Sequence, residues 1–328
     1  MNDFISLDSG PANQSTSHAT GRGERSPSKA LASFLRCAVF LWATLSAGAS
    51  PRQAVGSSTA HLNPGDILFT DSEAAVLRLD AVTGQTSLFA GGGMLVRPCG
   101  IALGPDQTIY VTDTGCLAVI AINPATGESA VLSSGGLLGV PFGIAVNAQG
   151  EVFVANSQAL LGINPVDGTQ RTVSSGGVLK APLGVAVAPN GDLYVADAGG
   201  AVVRIDPVSG AQTVVSSGQN MITPVGIVVA DARTIYVSDS TSRRLIQVDP
   251  RSGAQRVLSA EGSLTTPFGL ALAGKHDLLV GDPDAFGLAG GIIHIDLRNG
   301  AQSAVVTGSG NFVNYRCVAV VPGSPTQP

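Results

Sequence analysis

Five aspartates and one asparagine recur along the chain at intervals of about 42 residues, and a ring of such side chains could hold a metal ion or a ligand. These residues are Asp71, Asp113, Asn156, Asp197, Asp239 and Asp282. A structural role is the alternative, because a short carboxylate or amide that follows a strand can cap the next turn by accepting backbone N–H bonds. The residue occurs in every repeat, and asparagine replaces it once. We therefore favour the cap over the ligand ring.

Other signals for metal or phosphate chemistry are weak. Asp282-Pro-Asp284 resembles the start of a calcium-binding loop, but Phe286 and Ile293 occupy two positions that require oxygen ligands. The loops rich in glycine precede strands rather than helices, so a phosphate-binding cradle is not expected. The sequence predicts no metal site, no cofactor and no catalytic residue.

Three cysteines follow residue 49, namely Cys99, Cys116 and Cys317. Cys99 and Cys317 begin the first strands of adjacent repeats, whereas Cys99 and Cys116 share one end of a single repeat. In an oxidising compartment, a disulfide in one of these pairs is a better expectation than a metal site, which would require histidine or a fourth ligand. The sequence does not decide between the two pairs.

The stretch from Pro182 to Gly210 shows which elements must position these residues. Val185–Val187, Leu193–Val195 and Val202–Ile205 are short apolar runs separated by turns, and a fourth strand follows Gly210. The first strand of each copy begins at Gly100, Gly143, Gly184, Gly226, Gly269 and, with cysteine in place of glycine, Cys317. Six four-stranded units with a period near 42 predict an all-β fold, a single six-bladed β-propeller.

The ring is predicted to close through the C-terminal strand. The first repeat lacks a first strand of its own, and the last repeat is followed by a spare one, Cys317–Val321. This strand should complete the first blade and leave no exposed sheet edge. The first strands begin, and the second and fourth strands end, at one face of the ring, which we name the top face. Binding sites usually lie on loops held by a rigid frame, so we expect a site there.

The ends of the chain predict export. We predict a disordered polar lead at 1–30, a signal peptide at 31–49, a linker at 50–63, the propeller at 64–321 and a flexible tail at 322–328. The signal is indicated by the apolar run Cys37–Leu45 and by the small residues Ala47-Gly-Ala49, with a buried helix of the fold as the alternative. We expect a periplasmic or extracellular protein with no membrane span after signal removal.

Composition limits the class of partner. Only 12% of the residues are charged, the formal net charge is −5, and no basic stripe is present. Nucleic acid is therefore not an expected partner. We expect a monomer.

The repeat resembles known propeller families. Its motifs are Pro-x-Gly-[Ile/Val/Leu]-Ala-Val, then Gly-x-[Leu/Ile]-Tyr-Val-[Ala/Ser]-Asp, then Ile-Asp-Pro-x-x-Gly. They resemble the NHL repeat and are similar to the gluconolactonase (senescence-marker) and streptogramin-lyase propellers over residues 64–321. The resemblance implies the fold, but these families include lactonases, lyases and binding scaffolds.

The functional residues of those enzymes are not matched. In the gluconolactonase-like enzymes, the x of Pro-x-Gly often holds a divalent metal through Asn or Asp. The six equivalent residues here, which we name the mouth ring, are Cys99, Phe142, Leu183, Val225, Phe268 and Arg316. The streptogramin lyases use a histidine on that face, whereas His276 and His294 are placed in a bottom turn and a third strand. Both departures weigh against an enzyme.

The sequence therefore predicts an exported binding or scaffold module. Its alternative is a lactonase-like hydrolase or streptogramin-lyase-like enzyme with a divergent site. We expect a small molecule, peptide or protein, of anionic or amphipathic character, to bind where the top face departs from the repeat, at Arg97, Cys99, Phe142, Phe268, Tyr315 and Arg316. Apolar residues also crowd the top-face loops, and most of them are assigned to packing between blades: Leu137, Leu138, Val178, Leu179, Met221, Ile222, Leu264 and Phe312.

Overall fold

The structure is a computed structural model that describes residues 61–308 and 314–323. The predicted lead, the signal peptide and residues 50–60 of the linker lie outside the described residues, as do the tail beyond Gly323 and the side chain of Tyr315. The described chain consists of β-strands joined by turns, with one short helix.

The strands form six antiparallel sheets of four strands each, which confirms the predicted six-bladed β-propeller. Blade 1 contains β1 (Ile67–Asp71), β2 (Ala75–Leu79), β3 (Thr86–Gly91) and β24 (Tyr315–Val320). Blade 2 contains β4 (Pro98–Leu103), β5 (Ile109–Asp113), β6 (Ala118–Ile122) and β7 (Ser129–Ser134). Blade 3 contains β8 (Pro141–Val146), β9 (Val152–Asn156), β10 (Ala159–Ile163) and β11 (Gln170–Ser175).

The second half of the ring repeats the pattern. Blade 4 contains β12 (Pro182–Val187), β13 (Leu193–Asp197), β14 (Ala201–Ile205) and β15 (Gln212–Ser217). Blade 5 contains β16 (Pro224–Asp231), β17 (Thr234–Asp239), β18 (Arg244–Val248) and β19 (Gln255–Ala260). Blade 6 contains β20 (Leu270–Leu272), β21 (Asp277–Asp282), β22 (Gly291–Asp296) and β23 (Gln302–Thr307). The helix α1 (Ala285–Leu288) lies in the long top-face loop between β21 and β22.

The predicted closure of the ring is confirmed. Strand β24 pairs antiparallel with β1, and Val318 lies opposite Phe69 in that pair. Val318 and Val321 are buried. The two ends of the described chain therefore share one sheet, and β24 occupies the inner position that the first strand has in the other blades.

Burial follows the position of a strand within its blade. Every residue of the second strands β9 and β13 is buried, because these strands have neighbours on both sides and another blade against each face. Fourth strands such as β15 are partly exposed, since they form the outer edge. The cores lie between blades: one apolar cluster joins Leu68 and Val76 of blade 1 to Ile109 and Ile120 of blade 2.

The loops of the top face have a common backbone form that the sequence explains. Each of the five loops that connect successive blades, from blade 1 to blade 6, begins with two successive residues of positive φ. Gly135 (62°) and Gly136 (59°) are one example. Glycine adopts this conformation without a steric penalty. In two loops, Gln219 (53°) and Glu261 (54°) take one of the two positions.

Helices contribute little to the described part of the chain. The helix α1 has four residues. No helix among the described residues is long and apolar enough to cross a bilayer.

Candidate functional site

The repeating acidic side chains lie just below the top face, where they bind backbone rather than forming an open ring of ligands. Asp113 is fully buried and accepts N–H bonds from Val96 (2.7 Å), Arg97 (3.0 Å), Gly115 (2.8 Å) and Cys116 (3.0 Å). The bonds from Gly115 and Cys116 form the predicted turn cap. The bonds from Val96 and Arg97 also tie down the loop that leads into the blade.

The same arrangement recurs around the ring. Asp197 accepts N–H bonds from Lys180 (2.7 Å), Ala181 (3.0 Å) and Gly199 (2.8 Å). Asn156 accepts a bond from Gly139 (2.8 Å) and donates its amide to the carbonyl of Leu137 (3.1 Å), which explains why asparagine is tolerated there. These side chains act as anchors that give the top-face loops fixed positions.

The described residues do not form a cluster of three or more His, Cys, Asp or Glu side chains suited to a metal ion. His294 lies in a third strand, and its ring nitrogens contact Asp277 (2.8 Å) and Ser303 (3.2 Å) near the bottom of blade 6. His276 lies in the bottom turn of the same blade. The residue pattern at the top face thus differs from that of the lactonase-like and lyase-like alternatives.

The mouth ring surrounds the top of the central channel, and its backbone is held by bonds between blades. The hydroxyl of Thr70 in blade 1 donates to the carbonyl of Cys99 in blade 2 (2.7 Å). Thr112 donates in the same way to the carbonyl of Phe142, and Ser238 to that of Phe268. The ring members therefore lie at fixed separations from one another.

Four of the predicted site residues occupy consecutive positions in this ring, in the order Phe268, Arg316, Cys99 and Phe142. The guanidinium of Arg316 lies over the ring of Phe268, with Cζ 5.4 Å from the ring centroid. Phe268 and Cys99 are buried, and Phe142 is half-buried. The structure therefore brings this part of the predicted site together.

The other two predicted site residues border the ring. The backbone of Arg97 is fixed by Asp113 and by Thr114, whose N–H donates to the Arg97 carbonyl (3.0 Å). Tyr315 begins β24, and its side chain lies outside the described residues.

All three described cysteines are free thiols, so neither of the disulfides expected from the sequence is formed. The pKa of Cys99 is lowered by the Cys317 thiol and, against the cost of burial, by the charge of Arg316. The Cys99 thiol and burial raise the pKa of Cys317 well above its usual value. Burial and the charge of Asp113 raise the pKa of the Cys116 thiol to about 11.

The apolar residues of the top-face loops fall into two groups. Leu95, Leu138, Leu179, Met221 and Leu264 occupy equivalent positions and are buried between blades. A second group remains 38–72% exposed: Met94, Val96, Leu117, Leu137, Val140, Val178, Ile222 and Leu288. We name this second group the apolar rim. The sequence analysis correctly assigned Leu138, Leu179, Met221 and Leu264 to packing, but it did not include Leu95 and did not separate the two groups.

The apolar rim is continuous over blade 2. Gly115 lies directly under Val96, because a Cβ at Gly115 would be 2.6 Å from the Val96 Cγ1. The thiol of Cys116 reaches the carbonyl of Met94 at 3.6 Å, and Leu117 follows it in the same turn. The loop between blades 5 and 6 carries Ser263 and Thr265 at the matching positions, so the rim is interrupted there.

A further feature was missed by the sequence analysis. Glutamines at the start of four outer strands bridge to the preceding blade: Gln170 to Ser133 (2.9 Å), Gln212 to Ser174 (2.9 Å), Gln255 to Ser216 (3.0 Å) and Gln302 to Ser259 (3.0 Å). We name these contacts the glutamine bridges. Their signal was a glutamine two residues after the turn glycine in four repeats.

The fold and the top face define a six-bladed β-propeller whose loops, rather than a cluster of titratable groups, form the candidate site. A family model described as outer membrane protein assembly factor BamB matches residues 95–304. The match covers well over half of the chain, and the chain belongs to this family. The sequence analysis did not name it. No curated protein sequence matches the chain.

Solved structures share the fold. A chain in the crystal structure of a nidogen–laminin complex is similar with a TM-score of 0.68 and 19% identity, over 78% of this chain and 97% of that one. Virginiamycin B lyase from Staphylococcus aureus is similar with a TM-score of 0.57 and 16% identity, over 74% of this chain and 81% of the lyase. At these identities the similarity concerns the fold, and at that level the predicted resemblance to streptogramin lyases is confirmed.

Proposed function

We propose that this protein is an exported scaffold for the assembly of outer-membrane proteins, and that its top face binds an extended apolar segment of a protein partner. The main support for this proposal is the apolar rim. Most of the large hydrophobic side chains that are exposed in the described chain lie on top-face loops. Exposed apolar surface of this kind is typical of protein-binding faces.

The rim is presented by a rigid frame. Each of its loops that connects two blades has a buried leucine or methionine on one side and a backbone bond to an anchoring Asp or Asn on the other. Binding therefore requires little ordering of the loops, which reduces the entropy lost on association. Because the loops are held in place and their apolar side chains stay exposed, the top face is suited to binding a partner rather than to packing within the propeller.

The shape of the rim favours a protein segment over a small molecule. Its members come from the four loops that connect blades 1 to 5, from a turn of blade 2 and from the long loop of blade 6, so they are spread along an arc rather than gathered in one pocket. Arg97 and Lys180 lie beside rim residues in two of these loops. A partner segment with apolar residues and acidic flanks would complement both features.

Family membership supports the kind of partner. The family is described as an outer membrane protein assembly factor, and such a factor acts on other proteins. The predicted signal peptide is consistent with action outside the cytoplasm. The lactonase-like and lyase-like alternatives are not supported by the described top-face residues.

Site-specific photocrosslinking tests the proposal. A photoreactive residue replaces Leu137 in the rim or, as a matched control, Val208, which is 94% exposed in a bottom turn of blade 4. We expect Leu137 to give adducts with outer-membrane proteins or with subunits that assemble them, and Val208 to give none of these. Equal adducts from both positions, or none from Leu137, would contradict the proposal.

Export has its own test. A full-length chain fused at its C-terminus to alkaline phosphatase should be active in cells, because that enzyme requires the disulfides that form outside the cytoplasm. Replacing Phe40 and Leu41 with Asp should abolish the activity. An active fusion with the substituted leader would show that residues 31–49 are not the signal.

A further inference from the structure

We propose that the mouth of the propeller contains a binding site for an apolar carboxylate, in which Arg316 and Arg97 bind the carboxylate and Phe142 contacts the apolar group. The site is separate from the apolar rim and does not depend on the binding of a protein segment there. Its carboxylate is either the C-terminal group of a peptide or that of a free organic acid, and the two sources are separable by experiment.

Two arginines at the mouth lack a polar partner. Four arginines of the described chain are half-buried. Arg78 contacts two aspartates at 2.8 Å, and Arg244 donates to an asparagine side chain at 3.3 Å. The guanidinium groups of Arg97 and Arg316 form no hydrogen bond and no ion pair with a described residue, and Arg316 contacts only an aromatic ring. Because a guanidinium carries five N–H donors, both side chains are suited to bind an external anion.

The backbone brings these two arginines to one part of the mouth. The hydroxyl of Thr70 accepts a hydrogen bond from the N–H of Cys317 (3.1 Å) and donates one to the carbonyl of Cys99 (2.7 Å). Arg316 directly precedes Cys317, and Arg97 lies two residues before Cys99. A single hydroxyl therefore holds the two segments that carry the arginines side by side.

Both segments are also fixed by other blades or loops. The N–H of Arg97 donates to Asp113 (3.0 Å), and its carbonyl accepts the N–H of Thr114 (3.0 Å). The carbonyl of Arg316 accepts the N–H of Gly269 in blade 6 (2.9 Å). Since the backbone is already ordered, an anion has to order only the two side chains, which reduces the entropy lost on binding.

The acidic side chain nearest to Arg97 does not neutralise the site. Asp113 is fully buried, and its carboxylate accepts hydrogen bonds from four backbone N–H groups. The mouth ring has no acidic member. The two positive charges therefore remain available to a ligand, and they would repel a metal cation.

The neighbouring members of the mouth ring set the character of the ligand. Phe268 and Cys99, on either side of Arg316, are buried, whereas Phe142 is half-buried and offers apolar surface. The planar fork of a guanidinium matches the two oxygens of a carboxylate. A singly charged carboxylate also costs less to desolvate beside apolar surface than a doubly charged phosphate does. These features together favour a carboxylate that is attached to an apolar group.

Isothermal titration calorimetry of the full chain tests the site with two pairs of probes. One pair is N-acetyl-leucyl-phenylalanine and its C-terminal amide, and the other is hydrocinnamate and its amide. We expect at least one acid to bind about tenfold more tightly than its amide, which corresponds to one charge-assisted hydrogen bond. Binding of the peptide acid alone would assign the site to peptide C-termini. Binding of hydrocinnamate, alone or together with the peptide, would assign it to free organic acids.

Three variants separate the roles of the residues. Arg316→Gln should weaken binding of the acid about tenfold and leave binding of the amide unchanged. Phe142→Ala should weaken acid and amide by the same factor, because it removes an apolar contact that both probes make. Arg251→Gln removes an exposed arginine from a bottom turn of blade 5 and is the matched control, which should change neither affinity.

Three results would overturn the proposal. The first is an equal affinity of acid and amide in both pairs, and the second is an unchanged affinity for the acids in Arg316→Gln. The third is the absence of binding by either acid at about 10 mM. The first and third use the unaltered protein, so they hold even if Arg316→Gln fails to fold. A negative crosslinking result at Leu137 would leave all three measurements unaffected, because the rim is a separate site.

Discussion

Arg316 of blade 1 lies over the aromatic ring of Phe268 of blade 6, with a distance of 5.4 Å between the guanidinium carbon and the ring centroid. Both residues belong to the mouth ring, in which Arg316 is the single charged member. The contact crosses the junction between the last blade and the closing strand. It fixes the position of a positive charge at the mouth without an acidic partner from the ring.

We expect this cation–π contact to contribute about 0.5–1 kcal/mol to stability, as partly exposed pairs of this kind do. A double-mutant cycle with Arg316→Ala and Phe268→Leu, followed by urea unfolding, measures the coupling. Arg97→Ala combined with Phe268→Leu is the control, and these two changes should be additive. A coupling energy indistinguishable from zero for Arg316 would show that the contact is only a packing arrangement.

The buried anchors of the top face give a second prediction. Asp113→Ala leaves four backbone N–H groups without their acceptor, and we expect a loss of about 2–4 kcal/mol in the free energy of unfolding. Asp113→Asn should cost less, because Asn156 fills the same role in blade 3. Asp106→Ala, in an exposed bottom turn, is the matched control and should cost under about 1 kcal/mol. Equal losses for Asp106→Ala and Asp113→Ala would show that the buried anchors contribute no more to stability than an exposed turn residue does.

The fold was predictable because its sequence signals occur in all six repeats. A period near 42, the turn glycines and the acidic residue after each second strand all repeat, so the sequence carries each structural signal several times over. The spare strand Cys317–Val321 was recognised for the same reason, since it matched the first strand of a blade that had none. Errors in the strands were confined to their ends, such as Tyr315–Val320 where Cys317–Val321 was expected.

The contacts between blades were harder to predict. A glutamine bridge joins residues 37 to 43 positions apart, such as Ser133 and Gln170, and its formation depends on how adjacent sheets are placed. The stacking of Arg316 on Phe268 depends on that placement too. Similarly, the sequence does not show which apolar loop residues are buried. Leu137 and Leu138 are adjacent leucines, and only the path of the loop backbone decides that Leu138 is buried and Leu137 is exposed.

Loss of the closing strand should prevent folding. Ending the chain at Gly310 removes β24 and Val321, with about four ladder hydrogen bonds at about 1 kcal/mol each and the burial of Val318 and Val321 at about 2 kcal/mol each. That sum approaches the stability of a typical domain. Ending the chain at Gly323 removes only residues beyond the strand and is the control, which should melt like the full chain. A cooperative melt of the shorter protein near the full-length Tm would contradict the closure of the ring through β24.

The glutamine bridges lead to a prediction of gained stability. The interface between blades 1 and 2 has the backbone spacing of a bridged interface, since a Cβ on Gly127 would be 2.6 Å from the carbonyl of Phe89 and one on Gly210 would be 2.4 Å from that of Val173. Ala90→Ser combined with Ser129→Gln should therefore create a bridge. We expect the pair to stabilise the protein by about 1 kcal/mol beyond the sum of the single changes, as one buried hydrogen bond does.

The interface between blades 6 and 1 is the matched control for this gain. A Cβ on Gly84 would meet no described atom within 4 Å, so the outer strands are further apart there than at the other interfaces. Val306→Ser combined with Thr86→Gln should consequently show no coupling. Urea unfolding of both double mutants and their singles measures the difference. Coupling at both interfaces would mean that the side chains, and not the spacing of the blades, decide where a bridge forms; coupling at neither would mean that serine and glutamine alone are insufficient.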